Sequence, residues 1–232
     1  MSHTVFMVSH THWDREWYLP FEEFRTRLVE LIDELLDILS SDEQYRHFTL
    51  DGQTIVLEDY LAVRPERRVD LERYIRNGRI LVGPWYVLPD EFLVSPEALI
   101  RNLMVGHRLA REFGPVMEVG YTPDPFGHIG QLPQILQGFG IKSAVLERGL
   151  ADEGTELRWQ ASDGTEVLLV YLRDGYDNAA RLSVRDPDEF KKQVNYLRDS
   201  LAPHGLTECV LLMNGTDHME PQPELPRAVG QY

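Results

Sequence analysis

Two histidines and an aspartate lie within five residues near the start of the chain, in the segment VSHTHWDREW. His12 and Asp14 are two positions apart, and alternate residues of an extended backbone face the same side. An imidazole and a carboxylate placed in this way form two ligands for Zn²⁺ or a similar divalent ion. The same residues are also typical of a polar loop, so the pair indicates a metal site only if further ligands converge on it.

Two later segments place carboxylates in defined directions. In DPFGH, Pro125 biases Asp124 toward an extended backbone, and Gly127 permits a tight turn or the close approach of a ligand. In NGTDH, Asp217 follows an Asn-Gly turn. Each segment alone is typical of an ordinary turn. Together they offer two carboxylates beside a metal, which suits either glycoside hydrolysis or hydrolysis by a metal-activated water.

The elements that carry these segments are predicted to be short strands alternating with helices. Apolar residues at helical spacing predict a long helix within FRTRLVELIDELLDIL, and Ser95-Pro96 predicts the start of another. Asp163-Gly164 predicts a hairpin turn. Such alternation predicts an α/β fold with a parallel sheet, in which chemistry collects at the carboxyl ends of the strands. Polar residues at the predicted strand ends are His12, Asp51, Asp90, Asp124, Arg148 and Asp217.

Composition narrows the classes of protein and of partner. The 232 residues fit one domain, and 38 acidic against 23 basic residues give a net charge of −15, which repels nucleic acid and anionic membranes. No apolar run approaches the ~20 residues that span a bilayer, and the first residues lack the pattern of a signal peptide. The single cysteine, Cys209, lies in an apolar strand and is predicted to be a buried thiol. We therefore expect a cytoplasmic protein with neither nucleic-acid nor membrane partners.

The ordered set HTHWDREW, WYVLPDE, LIRNL, DPFGH and NGTDH resembles glycoside hydrolase family 38, the retaining α-mannosidases. It is most similar to the bacterial branch, which includes mannosylglycerate hydrolases, and the resemblance covers essentially the whole chain. It implies a (β/α)7 barrel-like fold of the glycoside hydrolase and deacetylase type, with parallel strands and surrounding helices. Residues 1–232 would then be the N-terminal catalytic domain of a larger α-mannosidase, cut short at its C-terminal end.

The resemblance also implies a zinc-assisted double displacement. His12, Asp14 and Asp124 match ligands of one zinc ion, and Asp124 also matches the nucleophile. Asp217 matches the general acid/base. The family's fourth zinc ligand is a later histidine with no counterpart after His218, so that position would fall to water or to a histidine of this chain. The substrate implied is an α-mannoside or a mannosylglycerate-like compound.

Further residues match the substrate pocket of the family less directly. They are Trp17, which matches an aromatic that packs against mannose, and Phe126, Arg148, Tyr176 and Asp177. His10 and His218 are assigned either to support of the metal ligands or to contact with substrate.

Two alternatives stay open from the sequence. The first is a metal-dependent hydrolase similar to polysaccharide deacetylases, in which an aspartate acts as base rather than nucleophile. The second is an inactive fragment that binds sugar or metal, since the family's later domains would be missing. A homo-oligomer is also left open.

Overall fold

The computed structural model describes residues 3–232, which form an α/β fold of eight strands and seven α-helices. The strands are β1 (Thr4–Thr11), β2 (Phe48–Leu50), β3 (Ile80–Leu81), β4 (Gly120–Thr122), β5 (Ser143–Leu146), β6 (Glu156–Gln160), β7 (Glu166–Tyr171) and β8 (Cys209–Asn214). The helices are α1 (Phe21–Ser41), α2 (Ile55–Leu61), α3 (Arg68–Arg76), α4 (Pro96–Phe113), α5 (Leu132–Gly138), α6 (Pro187–Leu201) and α7 (Leu225–Gln231).

The strands form two four-stranded sheets, in the orders β3-β2-β1-β8 and β4-β5-β7-β6. Every neighbouring pair is parallel except β6 and β7, which form the hairpin predicted around Asp163-Gly164. Seven strands are thus parallel, the number that the resemblance implies, and helices flank them. The predicted fold class is confirmed. We call the junctions between β3 and β4 and between the β6–β7 hairpin and β8 the two seams, because the described strands are not paired by sheet hydrogen bonds there.

The helices pack on the sheets through the apolar faces that the sequence predicts. On α1, residues at helical spacing are fully or almost fully buried against β2 and the next two helices: Phe24, Leu28, Leu31, Ile32, Leu35 and Leu39. Ser95 begins α4 as predicted, since its side-chain oxygen accepts a hydrogen bond from the N–H of Ala98 at 3.2 Å. Within residues 3–232, no helix is long and apolar enough to span a bilayer.

The prediction for Cys209 is wrong, because its side chain is exposed. Cys209 is the first residue of β8 and lies before the strand enters the packed region. Continuous burial begins only after Leu211. The apolar run that follows Cys209 predicted the strand correctly but did not show where along it the core begins.

Candidate active site

His12 and Asp217 lie side by side where β1 and β8 end. They form an isolated parallel bridge that continues the pairing of the two strands. The N–H of His12 donates to the carbonyl of Thr216 at 3.2 Å, and the N–H of His218 donates to the carbonyl of His12 at 2.9 Å. The first and last strands of the fold therefore place a candidate metal ligand next to the candidate acid/base.

His12 and Asp14 face the same side of the chain, as their spacing predicts. The Nε2 atom of His12 lies 3.7 Å from Oδ1 of Asp14. The other ring nitrogen, Nδ1, lies 3.3 Å from Oδ2 of Asp51. A carboxylate on one nitrogen fixes the orientation of the ring and leaves Nε2 directed toward the open side of the site.

Asp51 is a functional residue whose role the sequence did not reveal. Its side chain is fully buried, and its φ of 59° lies in the left-handed region that aspartate tolerates better than most residues. Its carboxylate also accepts the N–H of Trp13 at 2.9 Å and the N–H of Gly52 at 2.7 Å. The side-chain amide of Gln53 donates to it at 2.8 Å. The only sequence signal was its position at a strand end.

The charges of this cluster shift one another's ionisation. Burial opposes protonation of His12, but the carboxylate of Asp51 overcomes it and raises the pKa of His12 to about 9. Burial likewise opposes ionisation of Asp51, yet the His12 ring and backbone N–H groups lower the pKa of that carboxyl. Burial raises the pKa of Asp14, His12 opposes this, and the charges of Asp217 and Asp124 add to the rise. Asp124 and Asp217 therefore both lie close enough to Asp14 to affect its ionisation.

Asp124 is held by Arg148, which follows β5. The Nε atom of Arg148 donates to Oδ1 and to the carbonyl of Asp124, each at 3.2 Å, and its terminal nitrogen also contacts Oδ1. The guanidinium lies 4.9 Å from the ring centre of Phe126, whose ring is 75% exposed at the mouth of the site. The structure thus brings together the predicted nucleophile and two residues that were assigned to the pocket.

The loop that carries Asp124 is fixed by two carboxylates from the loop after β3. Oδ1 of Asp90 accepts the N–H of Phe126 at 3.2 Å. Glu91 accepts the N–H of Ile129 and the Nδ1–H of His128, both at 2.8 Å. The sequence placed Asp90 at a strand end but gave no sign of the Glu91–His128 pair, whose members are 37 residues apart.

Asp217 has its own buried support. The hydroxyl of Tyr176 donates to Oδ1 of Asp217 at 2.6 Å. Burial, reinforced by this hydrogen bond, raises the pKa of Tyr176 far above its usual value, so the phenol keeps its proton and acts as a donor. Behind it, Nε2 of His10 donates to the Tyr176 carbonyl at 2.8 Å. His10 therefore supports Tyr176.

The remaining predicted residues surround this centre. Nε2 of His218 lies 3.2 Å from the backbone nitrogen of Asp14, and its ring stacks on Phe24 at 4.3 Å. Asp177 lies near Glu147, a residue that the sequence analysis did not single out. Burial raises the pKa of Glu147, and the charges of Asp124 and Asp177 add to that rise. Trp17 is 66% exposed.

The donors at this centre suit zinc in their chemistry. Within residues 3–232, no three His, Cys, Asp or Glu side chains already stand together as a complete ligand set. His12 and Asp14 form a pair, while the carboxylate of Asp124 is turned to Arg148. One imidazole nitrogen, with its ring anchored by Asp51, and two carboxylates are the nitrogen and oxygen ligands that zinc accepts.

In enzymes with parallel α/β folds the active site lies at the carboxyl ends of the strands, and the carboxylates of this chain gather there. Comparison with known proteins identifies the family. Residues 2–227 match the family described as "Glycosyl hydrolases family 38 N-terminal domain". The chain belongs to this glycoside hydrolase family.

Individual relatives agree with the family match. The chain is 41% identical to the "Putative mannosylglycerate hydrolase" of Halalkalibacterium halodurans, over 99% of this chain and 27% of that protein. It is 28% identical to mouse "Alpha-mannosidase 2C1", over 72% of this chain and 17% of that protein. It superposes on the crystal structure of an alpha-mannosidase from Enterococcus faecalis V583 with a TM-score of 0.96 and 35% identity, covering 99% of this chain and 27% of that one.

More distant similarity concerns the fold alone. A 4-alpha-glucanotransferase from Thermococcus litoralis superposes with a TM-score of 0.66 at 13% identity, over 97% of this chain and 36% of that one. The chain spans about a quarter of the length of the bacterial family relatives, or 27% in each case.

Proposed function

We propose that this chain forms the catalytic centre of a retaining, zinc-assisted α-mannosidase that releases terminal mannose from an α-mannoside or a mannosylglycerate-like compound. Its membership of glycoside hydrolase family 38 supports the reaction class. The names of its relatives, a mannosylglycerate hydrolase and several α-mannosidases, support the substrate. The observation that carries the proposal is the bridge between His12 and Asp217, which puts a candidate metal ligand and a candidate acid/base on adjoining strand ends.

Asp124 is the proposed nucleophile. Its carboxylate attacks the anomeric carbon, and the bond to the leaving oxygen breaks as the covalent glycosyl-enzyme forms. Arg148 donates to Oδ1 and to the backbone carbonyl of Asp124, which fixes the direction of the carboxylate. The hydrogen bonds that backbone N–H groups of the same loop donate to Asp90 and Glu91 fix its backbone.

Asp217 is the proposed acid/base. It first donates a proton to the leaving oxygen, and then takes a proton from the water that releases mannose with retention of configuration. Tyr176 occupies Oδ1 of Asp217, which leaves Oδ2 for this exchange. A double displacement requires the two carboxyl groups to be about 5–5.5 Å apart in the working enzyme.

His12, Asp14 and Asp124 would hold the zinc ion. When bound, zinc supplies a Lewis acid that binds and polarises substrate oxygens. Asp51 orients His12 through Nδ1, and His218 contacts the backbone of Asp14. These two contacts position the proposed ligands without using their donor atoms.

The test uses the full-length enzyme with an aryl α-mannoside. We expect proton NMR to show the α-anomer of mannose as the first product, and a slow fluorinated mannosyl substrate to add one mannosyl mass to the peptide that contains Asp124. Asp124→Asn should abolish both the labelling and turnover, whereas Asp163→Asn, an exposed turn aspartate, should change neither. A first product of inverted configuration, or labelling of another peptide, would refute the assignment. Release of acetate from an N-acetylated polysaccharide, with no turnover of the mannoside, would favour the deacetylase-like alternative.

A further inference from the structure

A second cavity of about 270 Å³ lies next to the proposed nucleophile, between the loop after β4 and the strands β5, β6 and β7. Arg148 connects the two places, because it lines this cavity and also binds Asp124. Ligand pockets commonly occupy roughly 300–1,000 Å³, so a cavity of this size suits a small group rather than a whole sugar chain.

His128 gives this cavity a buried polar group that the proposed mechanism does not use. Its side chain is 6% exposed, and its Nδ1 bonds to Glu91, whose side chain is fully buried. Its other nitrogen, Nε2, has no hydrogen-bond partner among the described residues, although buried polar atoms are normally paired. The atom bonded to Nε2, Cδ2, faces Gly149, at 3.7 Å from where a Cβ there would lie. Gly149 and His128 both line the cavity.

The charges around the cavity have one sign. Arg148 and Arg158 line it, and none of the described residues that line it is acidic, although the chain carries 38 acidic residues. Arg158 is 82% exposed, and its nearest carboxylate contact, to Glu166, is long at 3.6 Å. Its guanidinium is therefore available to a ligand. Trp159 completes one wall, with its ring edge-on to that of His128.

We propose that this cavity binds an anionic group of the substrate, a carboxylate or a phosphate, next to the bond that Asp124 attacks. The proposal rests on the proposed function, and it explains why a strongly acidic chain gathers basic groups beside its nucleophile. Arg158 would donate to the anion, as would Nε2–H of His128 when both ring nitrogens carry protons. The buried carboxylate of Glu91 accepts from Nδ1 of His128 and fixes the direction of the ring.

The test measures binding of three probes to the full-length enzyme by calorimetry: D-glycerate, inorganic phosphate and neutral glycerol. We expect at least one anion to bind saturably and glycerol not to bind. Arg158→Gln should weaken anion binding about tenfold, the order expected for a lost charge-assisted hydrogen bond. Arg185→Gln is the matched control, because Arg185 is also 82% exposed but pairs with Glu224 outside this cavity. Preference for glycerate identifies a carboxylate on the leaving group, and preference for phosphate identifies a phosphorylated sugar.

His128→Gln should also weaken anion binding. If this substitution of a buried residue prevents folding, the test rests on the exposed residue in Arg158→Gln. The proposal is overturned if the anions bind no better than glycerol. It is also overturned if they bind equally well to Arg158→Gln and wild type, a result that would place the anion elsewhere, for example on the metal. Hydrolysis of a neutral aryl α-mannoside, measured in parallel, separates the two proposals. Activity without anion binding refutes the cavity alone, whereas saturable anion binding without hydrolysis of either that mannoside or a mannosylglycerate refutes the mannosidase assignment.

Discussion

Replacing Asp51 by asparagine tests whether the buried carboxylate both stabilises the fold and holds His12. The substitution keeps the shape of the side chain, and asparagine tolerates the left-handed backbone at this position, so backbone strain does not enter the comparison. What changes is the hydrogen bonding and the charge. Each carboxylate oxygen accepts one backbone N–H, from Gly52 on Oδ1 and from Trp13 on Oδ2. An amide in either orientation therefore points its NH₂ group at a backbone donor.

The expected loss follows from these contacts. A buried donor left without an acceptor costs about 1–3 kcal/mol. At low pH, loss of the ionic interaction between Asp51 and protonated His12 adds to this cost. Despite burial, which lowers it, the pKa of His12 is about 9 in the fold rather than 6.5, mainly because of Asp51. At about 1.4 kcal/mol for each pKa unit, the ionised pair contributes up to about 3 kcal/mol. Because the two effects share the same atoms, we expect a total loss of about 3–4 kcal/mol near pH 6.

The charge contribution has a definite pH dependence. A histidine whose pKa is raised by folding stabilises the protein fully below its unfolded value of 6.5, and this stabilisation disappears as the pH rises through about 9. The difference in unfolding free energy between wild type and Asp51→Asn should therefore shrink as the pH rises from 6.5 to about 9, and stay small above that pH. What remains there is the loss of hydrogen bonds to Gly52 and Trp13.

The assay is urea unfolding at pH 6 and pH 9.5, with a chelator present so that bound metal does not contribute. Asp163→Asn, in an exposed turn, should change the unfolding free energy by no more than about 0.5 kcal/mol. The reasoning is refuted if Asp51→Asn is as stable as wild type at pH 6. Equal losses at both pH values would retain the hydrogen bonds but refute the charge pairing with His12.

Two further predictions concern packing and buried charge. Gly215→Ala should destabilise the chain by at least about 2 kcal/mol in thermal unfolding, because its Cβ would lie 1.9 Å from the carbonyl oxygen of His10. Gly130→Ala is the control and should be nearly neutral, because a Cβ there meets nothing within 4 Å. Equal effects of the two substitutions would contradict this prediction. Burial, and to a smaller extent the charge of Arg111, lowers the pKa of His107, so the fold should lose stability as the pH falls below 6.5. His107→Leu should reduce that loss when the unfolding free energy is measured from pH 7.5 to 5. If the variant loses stability with pH as steeply as wild type, the assignment is refuted.

The sequence predicted those features that follow from short-range periodicity. The spacing of His12 and Asp14 put both side chains on one side, and the turn at Asp163-Gly164 produced the expected hairpin. The positions of charged residues at strand ends correctly indicated where polar groups would meet. In each case the physical cause lies within a few residues: backbone alternation, a turn dipeptide, or the exit of a strand.

What the sequence could not predict depends on which distant residues meet. Asp51 and Asp90 were noted only as polar residues at strand ends, whereas their partners lie 38 and 36 residues away. Glu91 and His128 occur in quoted motifs, yet nothing local distinguishes a buried pair from two solvated side chains. Cys209 shows the converse error, because an apolar run predicts a strand without showing which of its residues the core covers.

The two seams explain why these distant contacts coincide with the site. At the first seam, between β3 and β4, Asp90 and Glu91 reach across from the loop after β3 and bind the loop of Asp124. At the second seam, between the β6–β7 hairpin and β8, the hydroxyl of Tyr176 reaches across to Asp217. Side chains, together with backbone hydrogen bonds from Met117 to Val82 and from Ala179 to Met213, thus join the two sheets where strand pairing does not.

This arrangement gives those side chains two roles. Because the two seams separate Asp124 from both His12 and Asp217, the relative positions of the proposed nucleophile, metal ligand and acid/base depend on the contacts that span the seams. In a sheet closed by backbone hydrogen bonds, the positions of the strands would not depend on side chains. Here the side-chain hydrogen bonds across the seams help to join the sheets and also set the geometry of the carboxylates. Substitutions at Asp90, Glu91 or Tyr176 should therefore alter stability and site geometry together, and neither effect can be assigned without measuring both.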